Sequence, residues 1–321
     1  MTVHGTLDRM TAQRRSNRVG PPRLSTRRRE AIACYIFMTP AILGMLLFSI
    51  GPMIASLLLS FTQYDMLTAP SWVGLANYRQ LVHDDLFLKS LRVTAIYSFV
   101  TVPLILVLSF VLATMLNQKI RGMAFFRSLY YLPTVMSGVA VAMLWRWMFN
   151  KQYGLVNTIL GKLGIEGPAW FLSETWALPA LIVTGLWTFG GTTLIYLAGL
   201  QGVPNELYEA AECDGANRWR QHRYITLPMI SNVTFFNLVM GVIGSLQVFA
   251  EPYVLTGGGP NNSTLLLPLY LYRNAFQYLK MGYASAIAWV SFVIVLLLTL
   301  LVFKSRSLWV YGDAADEGGH R

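Results

Sequence analysis

Charged side chains are scarce in this 321-residue chain: Asp, Glu, Lys and Arg together make up 12% of the residues, whereas hydrophobic residues make up 55%. Soluble globular domains carry roughly twice as much charge, about 25%. The mean hydropathy is accordingly positive, at +0.48. This composition excludes an ordinary soluble protein and indicates that a lipid bilayer surrounds most of the chain.

Cysteine and histidine are also rare, with two and four residues. Neither Cys34 nor Cys213 has a nearby Cys or His pair with the spacing of a metal site. The histidines are scattered over tails and loops: His4, His83, His222 and His320. We therefore expect no disulfide, no metal site and no His-based nucleophile.

A phosphate-binding loop is missing as well. The chain contains a glycine-rich run at residues 257–260, but no Lys-Ser/Thr pair follows it, as a nucleotide-binding loop requires. We expect no ATP hydrolysis, no cofactor and no catalytic residue in this chain.

Six apolar runs are each long enough to cross a bilayer, which takes about 20 residues. They lie near residues 31–61, 93–116, 128–149, 176–200, 224–256 and 281–303. The first run is too long for a removable signal peptide and lacks a small-residue cleavage site. The runs predict an all-α membrane protein with six transmembrane helices in one domain, residues 31–305.

Basic residues favour one set of connections. Lys and Arg cluster in residues 1–30, 119–127, 218–223 and 304–306, whereas the opposite connections are longer and contain Asp65, Asp84, Asp85, Glu166 and Glu174. The positive-inside rule then places both termini and the segment 203–226 in the cytoplasm. We expect the Arg-rich tail 1–30 to be disordered and attracted to anionic lipid rather than nucleic acid, because it lacks interleaved aromatics. Residues 306–321 are expected to form a short cytoplasmic tail.

The polar segment 203–226 has the chemistry of a short exposed helix. Pro204 suits the first helical position, and Glu206 and Glu209 would follow in the first turns, where the helix dipole favours negative charge. Gly215 can adopt the left-handed conformation that ends such a helix. From these features alone, the alternative is an ordinary amphipathic helix at the membrane surface.

The segment reads Glu209-Ala210-Ala211, three residues, Gly215, nine residues, Ile225, one residue, Leu227-Pro228. This spelling resembles the loop by which permease subunits of binding-protein-dependent ABC importers dock onto their ATPase. Residues 72–78, 126–133, 145–150 and 255–260 are similar to the carbohydrate branch of these permeases, which includes the maltose and glycerol-phosphate importers. The resemblance covers roughly residues 31–305. The chain itself lacks the extra N-terminal spans and the large external insert of the maltose-type subunit.

The resemblance implies a type I importer permease fold in a bacterial or archaeal cell (inner) membrane. It also implies a second, similar permease subunit, two ATPase subunits that bind ATP and Mg, and an extracytoplasmic solute-binding protein. We refer to residues 203–226 as the docking loop. The residues to which the resemblance assigns ATPase coupling are Glu209, Ala210, Ala211, Asp214, Gly215, Ala216, Leu227 and Pro228.

Polar residues inside apolar runs often face a water-filled path. In the fourth run, threonines spaced by four predict a polar stripe along one face of a helix, and a second polar stripe lies within the fifth run. In resembling permeases these two spans contact the solute. The predicted substrate path comprises Thr184, Trp187, Thr188, Thr192, Asn237, Gly244, Ser245 and Gln247. The alternative is helix packing, which uses the same small and hydroxylated residues.

The solute could be a sugar, a polyol or a glycerol-phosphate compound. A phosphate would normally call for an inward-facing Arg or Lys, and none lies in the middle of a run, which favours a neutral sugar. Arg146 and Glu251 are placed near outer ends, where snorkelling or contact with the binding protein accounts for them. A membrane-embedded enzyme is the rival class, but it needs paired acidic or Ser/His groups, and the runs offer only Glu251.

Overall fold

The computed structural model describes residues 26–118 and 121–311, which are mostly helical. The chain divides into two compact units, Met1–Ser56 and Leu57–Arg321. The described part of the first unit contains α1 (Thr26–Met45), a π-helical turn (Leu46–Ile50) and the start of α2 (Gly51–Leu59). Most of the predicted tails, at residues 1–25 and 312–321, lies outside the described residues.

After the end of α2, the second unit continues with a short antiparallel hairpin, β1 (Thr62–Gln63) and β2 (Ser71–Trp72). The helix α3 (Ala76–Val82) follows, and then the long helix α4 (Asp85–Leu116). Asp84 caps α4, since its carboxylate accepts hydrogen bonds from the backbone N–H of Leu86 at 2.9 Å and of Phe87 at 3.3 Å. Because of this cap, α4 starts well before the predicted run at residue 93.

The remaining helices are mostly shorter. They are α5 (Met123–Val135), α6 (Gly138–Met148), α7 (Leu155–Lys162), a 3₁₀ turn (Trp170–Leu172), α8 (Ala177–Leu186), α9 (Gly190–Gln201), α10 (Asn205–Cys213), α11 (Arg218–Gln221), a π turn (His222–Thr226), α12 (Leu227–Met229), α13 (Ser231–Ser245), α14 (Ala250–Leu255), α15 (Leu267–Tyr272), a π turn (Arg273–Gln277) and α16 (Met281–Trp309).

The six predicted spans agree with the structure when two bent helix pairs each count as one span. Among the described residues, four helical stretches are individually long and apolar enough to cross a membrane: Glu30–Leu59, Asp85–Leu116, Ser231–Leu255 and Met281–Trp309. The predicted third span is instead the pair α5 and α6, bent by 98°, and the fourth is the pair α8 and α9, bent by 44°. Six spans result if each bent pair counts as one.

The bend between α5 and α6 has a backbone cause. Met136 and Ser137 adopt extended conformations, with ψ of 144° and 133°, directly after a helix that already contains Pro133. Two extended residues end the i to i−4 hydrogen bonds and turn the chain by about a right angle. The residues around the turn carry no charge, so a hydropathy pattern does not reveal it.

The second unit packs around α4. One apolar cluster joins Tyr97 of α4 to Trp145 and Leu181, a second joins Phe87 to Tyr270 and Ile287, and a third joins Ala113 to residues of α9 and α13. All three clusters contain residues of α4. This helix is therefore the element against which the surrounding helices are positioned.

Candidate functional site

A cavity of about 390 Å³ lies between α4, α8, α9, α13 and α14. Apolar side chains and the glycines at positions 185, 241 and 244 form much of its wall. The polar and charged residues in the lining are Tyr97, Thr101, Thr188, Thr192, Asn237, Ser245 and Glu251. The cavity therefore combines an apolar wall with a few separated polar groups, which is the usual composition of a small-molecule site.

The glycines in the cavity wall have two different surroundings. A Cβ at Gly185 would overlap the hydroxyl of Tyr97, and a Cβ at Gly241 would lie 3.2 Å from Val102 Cγ1. At Gly244, by contrast, a Cβ would meet nothing within 4 Å. The first two glycines thus allow close helix contacts, whereas Gly244 faces open space.

Two polar groups in the lining are fully buried atoms, Thr101 Oγ1 and Asn237 Nδ2. Each interacts with a neighbouring tyrosine, Thr101 with Tyr97 and Asn237 with Tyr196. Two further hydroxyls are engaged locally, in the bonds from Ser245 Oγ to the Val242 carbonyl at 3.0 Å and from Thr188 Oγ1 to the Gly185 carbonyl at 3.0 Å. Much of the polar capacity of the wall is therefore used within the protein, as is usual for buried polar groups.

The polar stripe predicted on the fifth run does line the cavity. Asn237, Gly244 and Ser245 are in the wall, together with Val248 and Gly241 from the same stripe. Gln247 is elsewhere: it lines a separate cavity of about 310 Å³ with residues of α15 and α16. The stripe thus contributes to one wall, without Gln247.

Only part of the stripe predicted on the fourth run lines the cavity. Thr188 and Thr192 line the cavity, but Thr184 is buried and donates a hydrogen bond to the Ala180 carbonyl at 2.8 Å. Trp187 is also absent from the lining and packs edge-on against Trp145, with ring centroids 5.6 Å apart. The break between α8 and α9 causes the difference, because spacing by four keeps residues on one face only in an unbroken helix.

Three lining residues were missed from the sequence. Tyr97 and Thr101 are polar residues spaced by four within the second apolar run, so the same spacing argument could have identified them. Glu251 was placed at an outer end and explained by other contacts, yet it lines the cavity. Nothing in its local sequence fixes the direction of α14 relative to the other helices.

The docking loop begins with the exposed helix α10. Gly215 has φ of +74°, as predicted. Its N–H donates to the Glu212 carbonyl at 3.0 Å, and the N–H of Ala216 donates to the Ala211 carbonyl at 2.8 Å. This pair of bonds is a Schellman motif, which satisfies the last carbonyls of a helix. The start differs by one residue, because Pro204 precedes the helix and has ψ of 131°.

The second half of the docking loop folds back onto the first. The Tyr208 hydroxyl is 3.0 Å from Thr226 Oγ1, and Asn217 caps α11 through the Arg220 N–H at 2.9 Å. Two large aromatic side chains remain exposed beside this structure, Trp219 at 76% and Tyr224 at 75%. Exposed aromatics on an ordered segment are typical of a protein contact or a membrane surface.

A cluster around Asp84, at the start of α4, joins elements that are distant in sequence. Its carboxylate accepts hydrogen bonds from the hydroxyls of Tyr270 and of Tyr283, the latter at 2.5 Å. Partial burial by itself would raise the pKa of Asp84, but the hydrogen bonds outweigh burial and hold its pKa below the ordinary 3.8. Burial and the Asp84 carboxylate raise the pKa of Tyr270 to about 12.

Metal chemistry has no visible basis in the described residues, which contain no group of three or more His, Cys, Asp or Glu side chains that could bind a metal ion. Cys34 and Cys213 are exposed free thiols. The features that stand out are a polar cavity between long apolar helices and an ordered helical loop. This combination defines a multi-pass membrane protein of the solute-permease class.

Comparison with known proteins identifies the family. The profile of the binding-protein-dependent transport system inner membrane component matches residues 105–306. The chain is 44% identical to the probable ABC transporter permease protein YesP of Bacillus subtilis, covering 90% of this chain and 95% of that protein. It is 37% identical to the lactose transport system permease protein LacF of Rhizobium radiobacter, covering 88% and 95%.

A solved structure has the same fold. It is a bacterial alginate ABC transporter in complex with an alginate pentasaccharide-bound periplasmic protein. The TM-score is 0.78 at 25% identity, and the match covers 88% of this chain and 97% of that chain. The chain therefore belongs to the binding-protein-dependent transport system inner membrane component family and has the type I importer permease fold. It is a permease subunit of an ABC importer.

Proposed function

We propose that this permease carries a sugar or sugar-like solute, delivered by an extracytoplasmic binding protein, across the inner membrane of a bacterium or archaeon. The supporting observation is the 390 Å³ cavity, whose separated hydroxyl and amide groups suit a solute rich in hydroxyls. The relative named for lactose transport supports the same class of solute. The remaining parts of the importer would be a second permease and two ATPase subunits, which supply the ATP and Mg sites.

The docking loop would transmit the ATPase movement to the helices. Ala210 and Ala211 give α10 a narrow side for close approach, and α10 is largely exposed in the structure. In our proposal, closure of the ATPase dimer moves α10 and changes which end of the cavity is open. The permease contributes different solute affinities in its two states, and no bond in the solute is broken.

The proposed orientation is tested by thiol labelling in intact cells. With Cys34 and Cys213 replaced, a single cysteine at Asn261 should react with a membrane-impermeant maleimide, and one at Arg218 should react only after the membrane is permeabilised. The reason is the distribution of Lys and Arg over the two sets of connections. Labelling of position 218 from outside would show that the chain has the opposite orientation, and it would contradict the proposal that the docking loop meets a cytoplasmic ATPase.

The solute path is tested by Thr188→Leu and Ser245→Leu in the assembled importer. Each should lower solute uptake per complex several-fold, because a lost hydrogen bond costs about 0.5–1.5 kcal/mol. Gln247→Leu is the matched control, since Gln247 lines a different cavity. If all three variants reduce complex yield but not uptake per complex, these residues serve helix packing and the solute passes elsewhere.

A further inference from the structure

Glu251 is the single charged residue in the described lining of the cavity. A carboxylate within an apolar span is costly unless water or a partner reaches it. Among the described residues, no hydrogen bond or ion pair involves this side chain, which is partly exposed. No ion pair within the described part of the chain therefore offsets its charge, and the carboxylate interacts electrostatically with Tyr97, another residue of the cavity wall.

The backbone fixes this placement. Helix α14 starts at Ala250, so Glu251 stands in its first turn, after the break that follows Ser245. Helix α14 packs against α6, whose first residue is Gly138; a Cβ built there would lie 3.9 Å from Ala250 Cβ and 4.0 Å from Glu251 Oε1. Two short helices thus hold the carboxylate at one end of the polar wall formed by Ser245 and Tyr97.

The geometry points to Glu251 as a charge filter that favours neutral saccharides and opposes anionic ones, such as those bearing uronic acid or phosphate groups. A fixed negative charge in a narrow low-dielectric passage raises the free energy of an anion there, and no Arg or Lys in the described lining offsets it. The same carboxylate can accept hydrogen bonds from sugar hydroxyls. This inference rests on the proposed function, and it narrows the solute class.

Likeness of fold does not predict this property. The solved relative is a transporter of alginate, described as an acidic polysaccharide, at 25% identity. A shared helical arrangement can therefore accompany an anionic solute, and selectivity for charge has to come from individual lining residues. In this chain the observed lining carries negative charge only.

The filter is tested in the assembled importer without knowledge of the solute. Gly244→Cys places a thiol on the cavity wall, where a Cβ has open space. With Cys34 and Cys213 replaced by Ser, the rates of modification by a cationic and an anionic methanethiosulfonate of similar size are compared at low salt. Positions 244 and 251 line the same cavity of about 390 Å³, and a sphere of that volume is about 9 Å across, so the thiol and the carboxylate lie roughly 10 Å apart.

At that distance, and with the dielectric constant of water, the carboxylate attracts the cationic reagent and repels the anionic one by about 0.4 kcal/mol each. The cation-to-anion rate ratio should therefore be about fourfold higher in the protein with Glu251 than in Glu251→Gln. Glu251→Asp should retain the high ratio, and added salt should reduce it. Ser71→Cys, on the exposed strand β2, is the control thiol, whose ratio should not depend on position 251.

An unchanged ratio in Glu251→Gln would overturn the inference, because the carboxylate would then be neutralised or turned away. The proposed function would survive that result if sugar uptake persists. Conversely, the cation-to-anion rate ratio could depend on Glu251 in an importer that takes up no saccharide. That result would support the charge filter and contradict the proposed transport of sugars. A higher uptake of a uronic-acid disaccharide, relative to its neutral counterpart, in Glu251→Gln would complete the assignment.

Discussion

The docking loop and the cavity wall are built by different interactions. The docking loop takes its shape from neighbours in sequence: α10 is closed by hydrogen bonds from Gly215 and Ala216, and α11 is capped by Asn217. The cavity wall depends on helices that are distant in sequence and approach each other at glycines, as Gly185 does at Tyr97. Local changes should therefore alter coupling without unfolding the permease, whereas changes at the wall should affect the fold.

The largest loss of stability is expected from a substitution at a glycine where two helices are in closest contact. A Cβ at Gly190 would overlap the backbone carbonyl oxygen of Tyr130, which cannot rotate away, whereas a Cβ at Gly191 would meet only Thr134 Cγ2 at 3.9 Å. Gly190→Ala should destabilise the permease by about 3 kcal/mol, at the upper end of overpacking costs. Gly191→Ala should be nearly neutral. Thermal unfolding of the two purified complexes measures the difference, and equal melting temperatures would show that α9 and α5 separate easily.

Gly215→Val should have a smaller effect on stability and a large effect on coupling. A β-branched residue at φ of +74° is strained by about 1–2 kcal/mol, so the end of α10 should rearrange while the spans remain folded. We expect normal complex yield, continued ATP hydrolysis and lost solute uptake. Gly215→Asn is the control, because Asn tolerates the left-handed region. Normal coupled uptake by the valine variant would contradict the role of this loop.

The same contrast explains what could be predicted from the sequence. The left-handed Gly215 and the end of α10 follow from local chemistry, and they were predicted within one residue. The stripe through Asn237 and Ser245 was also accessible, because α13 is continuous. Thr184 and Trp187 lie outside the cavity wall because the chain leaves the helix at residues 187–189, where Ser109 of α4 donates a hydrogen bond to the Phe189 carbonyl. Such a long-range bond leaves no local pattern.

Glu251 shows the same limit. Its position in an apolar run marks it as unusual, but its direction depends on how α14 packs against α6. The turn at Met136 and Ser137, which positions α6, has local signals in Pro133 and in Ser137-Gly138, but hydropathy alone does not register them. Residue type therefore indicated a special position, and only the packing of α14 against α6 assigns that position to the cavity.

Asp84 combines local and long-range interactions, and its substitution should cause the smallest loss of stability of the three. Its carboxylate caps α4 locally and also binds Tyr270 and Tyr283 over a long range. Because its folded-state pKa is lowered, its contribution to stability is present above the ordinary pKa of 3.8 and is lost as pH falls below that value. Asp84→Asn should lower the stability at neutral pH by about 1 kcal/mol, since the carboxylate is partly solvated.

The matched control is Asp85→Asn, one residue further along and exposed. Melting temperatures of the purified complex, measured from pH 7 down to pH 3, should decline less steeply at the acid end in Asp84→Asn than in the parent or in Asp85→Asn, because the variant has no carboxylate to protonate at this position. If the Asp84→Asn and parent curves stay parallel through pH 3, ionisation of Asp84 contributes nothing to stability, through the cap or through the tyrosines, and the proposed role of the cluster is wrong.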